Sequence, residues 1–325
     1  MSVKLQDLIL YGSAVMPEDD ATLAIGGAID KTRRVVFADV AGLLQIISSA
    51  AGDTTQNVTV TLRTTGGAIA SEQKTLNGTT AVLLTTTGID RLLKAVKNTS
   101  TTGDVAVEAQ TAERSGTAQS GAADYLQLDA GASAVDDYYN GMVLRLTGGT
   151  GSGQIRRVID YVAATKRAYV SRDFTPVPDA TTTFRAAKGM LFDKAPTECL
   201  EVRRPCYGAA ADYVGSTRTH YEKLFYANES ATDLTAALVK EVADPSAVVA
   251  FALEAALGGS TTNGSGNSRL VAPGALTFDS ADKNVANGGV LTAAATQALW
   301  IAFTRASGDA ALKTTFTLSL EGQTT

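Results

Sequence analysis

The stretch Met142-VLRLTGGTGSGQIRRVIDY-Val162 decides the fold class of this chain. Apolar and polar residues alternate on both sides of a glycine run, which is typical of two half-buried strands. A phosphate-binding loop would end in Gly-Lys-Ser/Thr and open a helix, but Gln154 stands where the lysine should be and a strand pattern follows. The run Gly148–Gly153 therefore predicts a hairpin loop that needs positive φ at several positions.

The sequence on either side of this hairpin extends the same pattern. A short strand is predicted at 126–128, a polar loop at 130–141, a turn at 163–166, and two further strands at 167–174 and 176–187. These segments predict a compact β-meander over residues 113–187.

The flanking segments also read as short strands with turns and without a long amphipathic helix. Asn77-Gly78 predicts a hairpin within 72–84, and 297–322 is expected to end the chain as another hairpin. The pattern over 89–98 fits either a helical turn or a strand. We expect an all-β fold: two β-sandwich-like domains (21–112 and 188–325) flank a central β-meander or barrel-like domain (113–187), after an N-terminal arm (1–20).

The two flanking segments share an order of features. Residues 58–62 followed by Gly66-Gly67 parallel 249–253 followed by Gly258-Gly259, and 91–104 parallel 298–309. This similarity predicts two related sandwiches, although hairpins common to all sandwiches would also produce it. The arm contains one apolar strand, 8–12, and an acidic cluster, 18–20. The cluster is expected to be a solvated turn, or else the arm adds a strand to a neighbouring subunit.

Composition excludes several classes of protein. The chain has 325 residues, 45 % hydrophobic and 19 % charged, as in globular proteins, and its net charge of −5 gives no basic surface for nucleic acid. Cys199 and Cys206 are too few for a disulfide scaffold, and we expect free thiols. The sequence shows neither an 18-residue apolar run nor a signal-peptide pattern, which favours folding in a cytoplasm and no membrane partner.

Few residues suggest catalysis or metal binding. His220 is the single histidine, and no Gly-x-Ser-x-Gly motif accompanies it, so a hydrolase has little support. Asp19-Asp20 and Asp136-Asp137 could hold a hard cation but lack EF-hand spacing, and solvated turns are the expectation. We expect no enzymatic activity, no cofactor and no metal.

Candidate interface residues are basic doublets and clustered tyrosines. The doublets near predicted strand edges protect those edges or form salt bridges to an acidic neighbouring subunit. Tyr138, Tyr139 and Tyr161 would supply an exposed aromatic patch for a receptor or a glycan. The candidate interface set is Arg33, Arg34, Arg156, Arg157, Arg203, Arg204, Tyr138 and Tyr139.

Residues Gly116–Phe174 resemble a segment of virion structural proteins of tailed bacteriophages. Tyr221-EKLFYA-Asn228, Asp244-Pro-Ser246, Asn267-SRLVA-Pro273 and Leu299-WIAF-Thr304 are similar to the same group, so the resemblance covers most of 115–320. It implies a multi-copy component of a phage particle and carries no catalytic residues.

The functional expectation is a non-enzymatic virion protein, assembled in the bacterial cytoplasm, that binds and stabilises capsid subunits as a decoration or cement protein. Its partners would be other virion proteins, the major capsid or tail subunits, and further copies of itself. Acidic charge suits an exterior position, because a surface facing DNA tends to be basic. The alternatives are a tail or baseplate component and a receptor- or glycan-binding tail module.

Overall fold

The structure is a computed structural model that describes residues 3–15, 26–34, 40, 42–65, 68–192, 198–199, 215–263, 268–309 and 316–324. Strands make up 53 % and helix 3 %, which confirms the predicted all-β class. The sheets are antiparallel, and none of those described closes into a barrel. The chain divides into two compact units: an inner unit, residues 36–203, and a split unit, residues 1–35 with 204–325.

The strands range from two to eleven residues in length. The split unit begins with a 3₁₀ turn (Leu5–Asp7), β1 (Leu8–Val15) and β2 (Gly26–Arg34). The inner unit contains β3 (Leu44–Ser48), β4 (Asn57–Thr64), β5 (Ile69–Thr75), β6 (Val82–Leu83), β7 (Ile89–Lys97), β8 (Val105–Ala109), β9 (Arg114–Thr117), β10 (Ser120–Gly121), β11 (Tyr125–Gln127), β12 (Val143–Gly148), β13 (Ile155–Val162), β14 (Arg167–Val170), β15 (Thr183–Ala187), β16 (Gly189–Phe192) and β17 (Glu198–Cys199). The split unit resumes with β18 (Arg218–Asn228), β19 (Leu234–Ala243), β20 (Val249–Leu257), β21 (Lys283–Asn284), the helical turn α1 (Ala286–Gly289), β22 (Thr296–Arg305) and β23 (Thr317–Thr324).

The inner unit contains a β-sandwich built from two four-stranded sheets, in the orders β17-β7-β4-β5 and β16-β8-β3-β6. Alternate residues of β4 point into the core, so Val58, Val60 and Leu62 are fully buried. The core is completed by residues of both sheets, among them Leu44, Ile46, Leu92, Val105, Val107 and Met190. The segment 89–98, which the pattern left open, is the strand β7.

A third sheet of the inner unit has seven strands in the order β10-β11-β14-β13-β12-β15-β9. It covers the outer face of β3 and β8, where Ile47 and Ala106 pack against Val143 and Ile155. Every residue of β8 is therefore buried, because one face of that strand meets the sandwich core and the other meets the third sheet. The predicted central strands at 126–128, 142–147, 154–162 and 167–174 correspond to β11, β12, β13 and β14.

The glycine run is the turn of the β12–β13 hairpin, in which Val143 pairs with Arg157 and Arg145 with Ile155. The backbone takes positive φ at Gly149, Gly151 and Gly153, as predicted. A Cβ at Gly149 would lie 2.1 Å from the carbonyl oxygen of Thr181, so this position also requires close approach of two backbones.

The split unit is formed by a five-stranded sheet, β2-β1-β18-β22-β20, and a three-stranded sheet, β21-β19-β23. β22 lies between β18 and β20, and its Trp300 is fully buried. The Nζ of Lys223 on β18 lies 2.5 Å from Oε1 of Glu254 on β20 and donates to the carbonyl oxygens of Gly259 and Thr261. This buried ammonium has three acceptors, which fixes the loop after β20 to the sheet.

The predicted internal repeat has a counterpart in strand pairing. In the inner unit β3 pairs with β6 and β8 while β4 pairs with β7; in the split unit β19 pairs with β21 and β23 while β20 pairs with β22. Val60 of β4 pairs with Glu72, and Phe251 of β20 forms a bridge with Asp279 at the corresponding place. The two units therefore share this part of their strand pairing, although the sheets have four and four strands in the inner sandwich and five and three in the split unit.

The strand pairing predicted for the two flanking hairpins, within 72–84 and within 297–322, was wrong. The turn at Asn77-Gly78 exists, with Gly78 at φ 57°, but β5 before it pairs with β4 and β6 after it pairs with β3 in the opposite sheet. Likewise β22 and β23 do not pair with each other, because both sides of β22 are already occupied by β18 and β20. In both cases the chain crosses between sheets where a hairpin was expected.

The compact units cut across the predicted domain boundaries. Residues 21–112 and 113–187 do not separate, and β16 and β17 return to the first sandwich, where they pair with β8 and β7. The predicted N-terminal arm is not free, since β1 pairs with β18 of its own chain from Leu8 to Gly12. The acidic cluster 18–20 lies outside the described residues.

Candidate functional site

The candidate site is the loop of residues 129–141 between β11 and β12, here called the tyrosine loop. Val135 is 64 % exposed and Tyr138 is 45 % exposed, three residues apart at the tip of this loop. A large apolar side chain exposed this far gains free energy when a partner covers it. The loop belongs to the seven-stranded sheet of the inner unit.

A ladder of three rings holds Tyr138 in place. The rings of Tyr138 and Tyr139 are 4.9 Å apart at 80°, and those of Tyr139 and Tyr161 are 4.7 Å apart at 87°, both edge-to-face arrangements. Tyr139 and Tyr161 are buried, and the Tyr138 hydroxyl donates to Oε2 of Glu113 at 3.1 Å. The exposed ring of Tyr138 therefore packs on Tyr139, and its hydroxyl is held by Glu113.

Ser133 ties the backbone of the loop to the sheet. Its carbonyl oxygen accepts from the hydroxyl of Tyr161 at 2.7 Å and from Nζ of Lys166 at 2.9 Å, while its N–H donates to the hydroxyl of Tyr139 at 3.1 Å. Burial raises the pKa of Tyr161 to about 12, so its hydroxyl stays a donor at neutral pH. These contacts preorganise the loop, which reduces the ordering cost of binding a partner.

The base of the loop is fixed by an ion pair. Asp129 accepts from Nε of Arg114 on β9 at 2.9 Å and makes a second, shorter contact with the same guanidinium. The hydrogen bond from Arg114 holds the pKa of Asp129 below its usual range, and the charge of Arg114 adds to this. The pair joins the start of the loop to the edge strand β9.

Tyr138 lies at the surface and Tyr139 lies in the core. Tyr138 keeps the exposure that an interface residue needs, whereas Tyr139, like Tyr161, is covered inside the unit. An aromatic patch of three exposed tyrosines is therefore corrected to one exposed ring. Val135 was not among the predicted interface residues; the adjacent Asp136-Asp137 could have indicated that this segment is at the surface.

Arg156 and Arg157 were predicted near exposed edges, but both are buried in β13. Arg156 donates to the carbonyl oxygens of Arg172 and Asp173 and lies 3.7 Å from Oδ2 of Asp104. The Arg156 guanidinium makes its contacts within the chain and is not exposed to a neighbouring subunit. The interface prediction for Arg156 and Arg157 is therefore corrected.

The other two doublets are only partly described. Arg33 on β2 pairs with Asp30 at 3.2 Å within its own strand. The backbone of Arg34 pairs with Tyr11, and its side chain lies outside the described residues, as do Arg203, Arg204 and Cys206. For Cys199 only the backbone of β17 is described.

A buried charged group that the sequence did not indicate lies where the sandwich meets the seven-stranded sheet. Oε1 of Glu108 on β8 lies 3.3 Å from Arg145, 3.2 Å from Arg185 and 2.8 Å from Nε2 of Gln45. Glu108 is completely buried, and these contacts to Oε1 offset part of the cost of losing its hydration, while Oε2 has no hydrogen-bond partner among the described residues. The group joins β8, β12 and β15 into one unit.

His220 and the acidic pairs were considered in the sequence as residues that could carry chemistry. His220 is buried in β18, where its backbone pairs with Phe303 of β22. Within the described ranges, no cluster of three or more His, Cys, Asp or Glu side chains is arranged to hold a metal ion. Over the same ranges, no helix has both the length and the apolar character needed to cross a membrane.

Comparisons with protein-family models, with curated proteins and with solved structures found no match to this chain.

Proposed function

We propose that this chain is a non-enzymatic structural protein of a tailed-phage particle, which binds assembled capsid subunits as a decoration or cement protein through its tyrosine loop. The observation that carries the proposal is the exposed pair Val135 and Tyr138 on a loop anchored by the buried Tyr139 and Tyr161. A rigid aromatic anchor of this kind is the usual centre of binding energy in a protein interface.

The binding mechanism would be adhesive. An anchored ring binds with little loss of conformational entropy, and the surface that it buries on each capsid subunit adds stability to the assembled shell by mass action. Many weak contacts repeated by symmetry then give a stable particle. Partners are capsid subunits and further copies of this chain.

Two sequence features support the assignment to a phage exterior. The resemblance to virion proteins over Gly116–Phe174 falls on the seven-stranded sheet and includes the tyrosine loop. The net charge of −5 suits a surface away from the packaged DNA.

A tail module that binds a receptor or glycan is the second candidate. The tyrosine loop gives it less support than expected, because only one of the three tyrosines is exposed. A shallow groove of the split unit, lined by Thr217, Arg218, Thr219, Tyr221 and Leu270, has the mixture of hydroxyl, cationic and aromatic groups that suits a sugar. Glycan-array binding that is lost in Tyr221→Ala would favour this alternative.

Quantitative mass spectrometry of purified particles tests the leading proposal. A decoration protein is expected at roughly hundreds of copies per particle, whereas a tail component would be present at about six to a few dozen, as the symmetry of each structure requires. Absence of the chain from washed particles would contradict both assignments.

A further inference from the structure

Asparagine followed by glycine is a pair of residues that can modify itself without an enzyme. The glycine nitrogen attacks Cγ of the asparagine side chain, the bond from Cγ to Nδ2 breaks, and a cyclic succinimide forms. The proton of the glycine N–H ends on the ammonia that leaves. Water then opens the ring at one of its two carbonyl carbons, which yields aspartate or isoaspartate without any change of oxidation state. Glycine favours the attack because it has no Cβ beside its nitrogen.

The chain has four such pairs, and their surroundings decide which of them reacts. The structure describes both residues of three pairs: Asn77-Gly78, Asn140-Gly141 and Asn287-Gly288. The attacking nitrogen must be released from any hydrogen bond, and the two residues must move towards each other. A pair that is held by folded structure therefore reacts only through local opening, which lowers its rate.

The pair Asn77-Gly78 is closed to this reaction. The N–H of Gly78 donates to the carbonyl oxygen of Asp53 at 2.8 Å, and its carbonyl oxygen accepts from the N–H of Ser48 at 3.0 Å. Gly78 is buried, and a Cβ there would lie 2.5 Å from the carbonyl oxygen of Ala51. The glycine nitrogen cannot approach the Asn77 side chain unless these contacts break.

The pair Asn140-Gly141, at the end of the tyrosine loop, is held in a similar way. Gly141 is buried, and its N–H donates to the carbonyl oxygen of Val158 at 2.8 Å. Nδ2 of Asn140 donates to Oδ1 of Asp137 at 2.8 Å. Both reacting groups of this pair are therefore engaged in hydrogen bonds.

The pair Asn287-Gly288 lies in the turn α1 and is open. Both residues are exposed, and the N–H of Gly288 has no acceptor among the residues that the structure describes. A Cβ at Gly288 would meet no atom within 4 Å, so the space around the attacking nitrogen is free. Nδ2 of Asn287 lies 3.5 Å from the carbonyl oxygen of Val290, which is too long for a hydrogen bond that would hold the side chain.

The turn is fixed on both sides of this pair, so the pair can react while the rest of the unit stays folded. Before it, the N–H of Val285 donates to the carbonyl oxygen of Ala237 at 2.9 Å, and the N–H of Ala286 donates to Oε1 of Gln297 at 2.8 Å. After it, the N–H of Gly289 donates to the carbonyl oxygen of Val285 at 2.9 Å. Rearrangement is needed only in the two exposed residues, whose φ angles are 59° and 67°.

We propose that Asn287 is a site of spontaneous modification, which converts to aspartate and isoaspartate in the folded chain while Asn77 and Asn140 are protected. Each event adds one negative charge to the split unit, and isoaspartate also adds one backbone atom to the turn between β21 and β22. The modified form therefore accumulates with the age of the protein. The reaction needs only water, so it does not depend on the proposed function.

Timed incubation of the full chain, followed by peptide mass spectrometry, tests the proposal. The protein is held at about pH 8 and about 37 °C for days, and chromatography separates the aspartate and isoaspartate forms of each peptide. Asn287 is expected to convert at least about tenfold faster than Asn77 or Asn140, because those two react only after a buried hydrogen bond opens. Both products should appear at position 287, since water opens the ring at either carbonyl carbon.

The same incubation in urea separates the effect of the fold from that of the sequence. In the unfolded chain all three pairs are open, so their rates should agree to within about threefold. Asn287→Gln has a longer side chain that disfavours ring closure. This exposed substitution should leave the fold unchanged, and its peptide should keep its mass over the same period.

Equal conversion of the three asparagines in the folded chain would overturn the proposal. Aspartate at position 287 without isoaspartate would also overturn it, because direct hydrolysis would then be the route. A tenfold excess of Asn287 that persists in urea would show that the sequence alone sets the rate. If Asn287→Gln does not fold, the ratio of rates in the folded and the unfolded wild type decides alone.

Discussion

At the scale of single residues, two adjacent side chains of the same type lie in different environments. Tyr138 and Tyr139 are identical in type, yet one is exposed and the other is 2 % exposed. The sequence predicted that both lie in a polar loop, but the choice between them is made by Tyr161 on β13, whose ring packs edge-to-face against Tyr139. A contact between segments this far apart leaves no local signal in the loop, so the exposed ring could not be identified from sequence.

Glu72 shows how one carboxylate can close the edge of a sandwich. It accepts from the N–H groups of Thr85 and Thr86 at 2.9 Å each, and also from Nζ of Lys74. Burial opposes ionisation of Glu72, but these hydrogen bonds outweigh it and lower its pKa to about 2. The bonds link β5 of one sheet to the segment that follows β6 of the other.

Because the pKa of Glu72 is lower in the folded state than its ordinary value of 4.5, its contribution to stability is present above about pH 4.5 and is lost as the pH falls towards 2. Glu72→Gln is expected to lower the free energy of unfolding by about 1–3 kcal/mol at pH 7 and to have little effect near pH 2. Urea denaturation across this range measures it. Gln73→Ala, at an exposed neighbouring position, should change stability by less than about 0.5 kcal/mol. An equal loss at all pH values would contradict the assigned role.

At the scale of elements, strand positions were predictable and strand partners were not. Alternation placed β4, β12, β13 and β20 correctly, although β12 and β13 bury both faces, with Val143 and Ile155 in one core and Leu144 and Val158 in another. The turn at Asn77-Gly78 was also predicted correctly, but the strands around it enter opposite sheets. Turn residues specify a local reversal, whereas the free edges of distant strands decide where the next strand pairs.

The Glu108 group tests whether the sandwich and the seven-stranded sheet depend on each other. Glu108→Ala leaves the guanidinium groups of Arg145 and Arg185 partly buried without their shared carboxylate. We expect a loss of about 3–5 kcal/mol, with both sheets unfolding together at the lower denaturant concentration. Lys188→Gln, which removes a partly exposed pair with Glu113 and leaves the hydrogen bond of Glu113 with Tyr138 in place, should cost less than about 1 kcal/mol. Unfolding of the seven-stranded sheet alone in Glu108→Ala would show that the group does not join them.

At the scale of the whole molecule, composition and alternation were sufficient for the all-β class, and the faint repeat has a partial counterpart in the strand pairing of the two units. The predicted boundaries failed because the chain leaves the first sandwich at β8, builds the seven-stranded sheet, and then returns with β16 and β17. Such a return pairs residues about eighty positions apart, and the pairing of β1 with β18 spans more than two hundred. Sequence patterns indicate which face of a strand is buried. They carry little information about which distant strand it pairs with.

We propose that the chain docks on a phage particle through the tyrosine loop. The most direct test is a competition between wild-type and variant chains for incorporation into the particle. Wild-type chain and the double variant Val135→Ser, Tyr138→Ser are supplied in equal amounts during assembly, and peptide mass spectrometry measures their ratio in purified particles. Both side chains are exposed, but Tyr138 also packs on Tyr139 and donates to Glu113, so thermal unfolding of the variant should show a modest loss of stability while circular dichroism matches the wild type. If the loop carries the binding energy, the variant should be depleted by roughly tenfold or more. Incorporation of a folded variant at a ratio of one to one would contradict the claim.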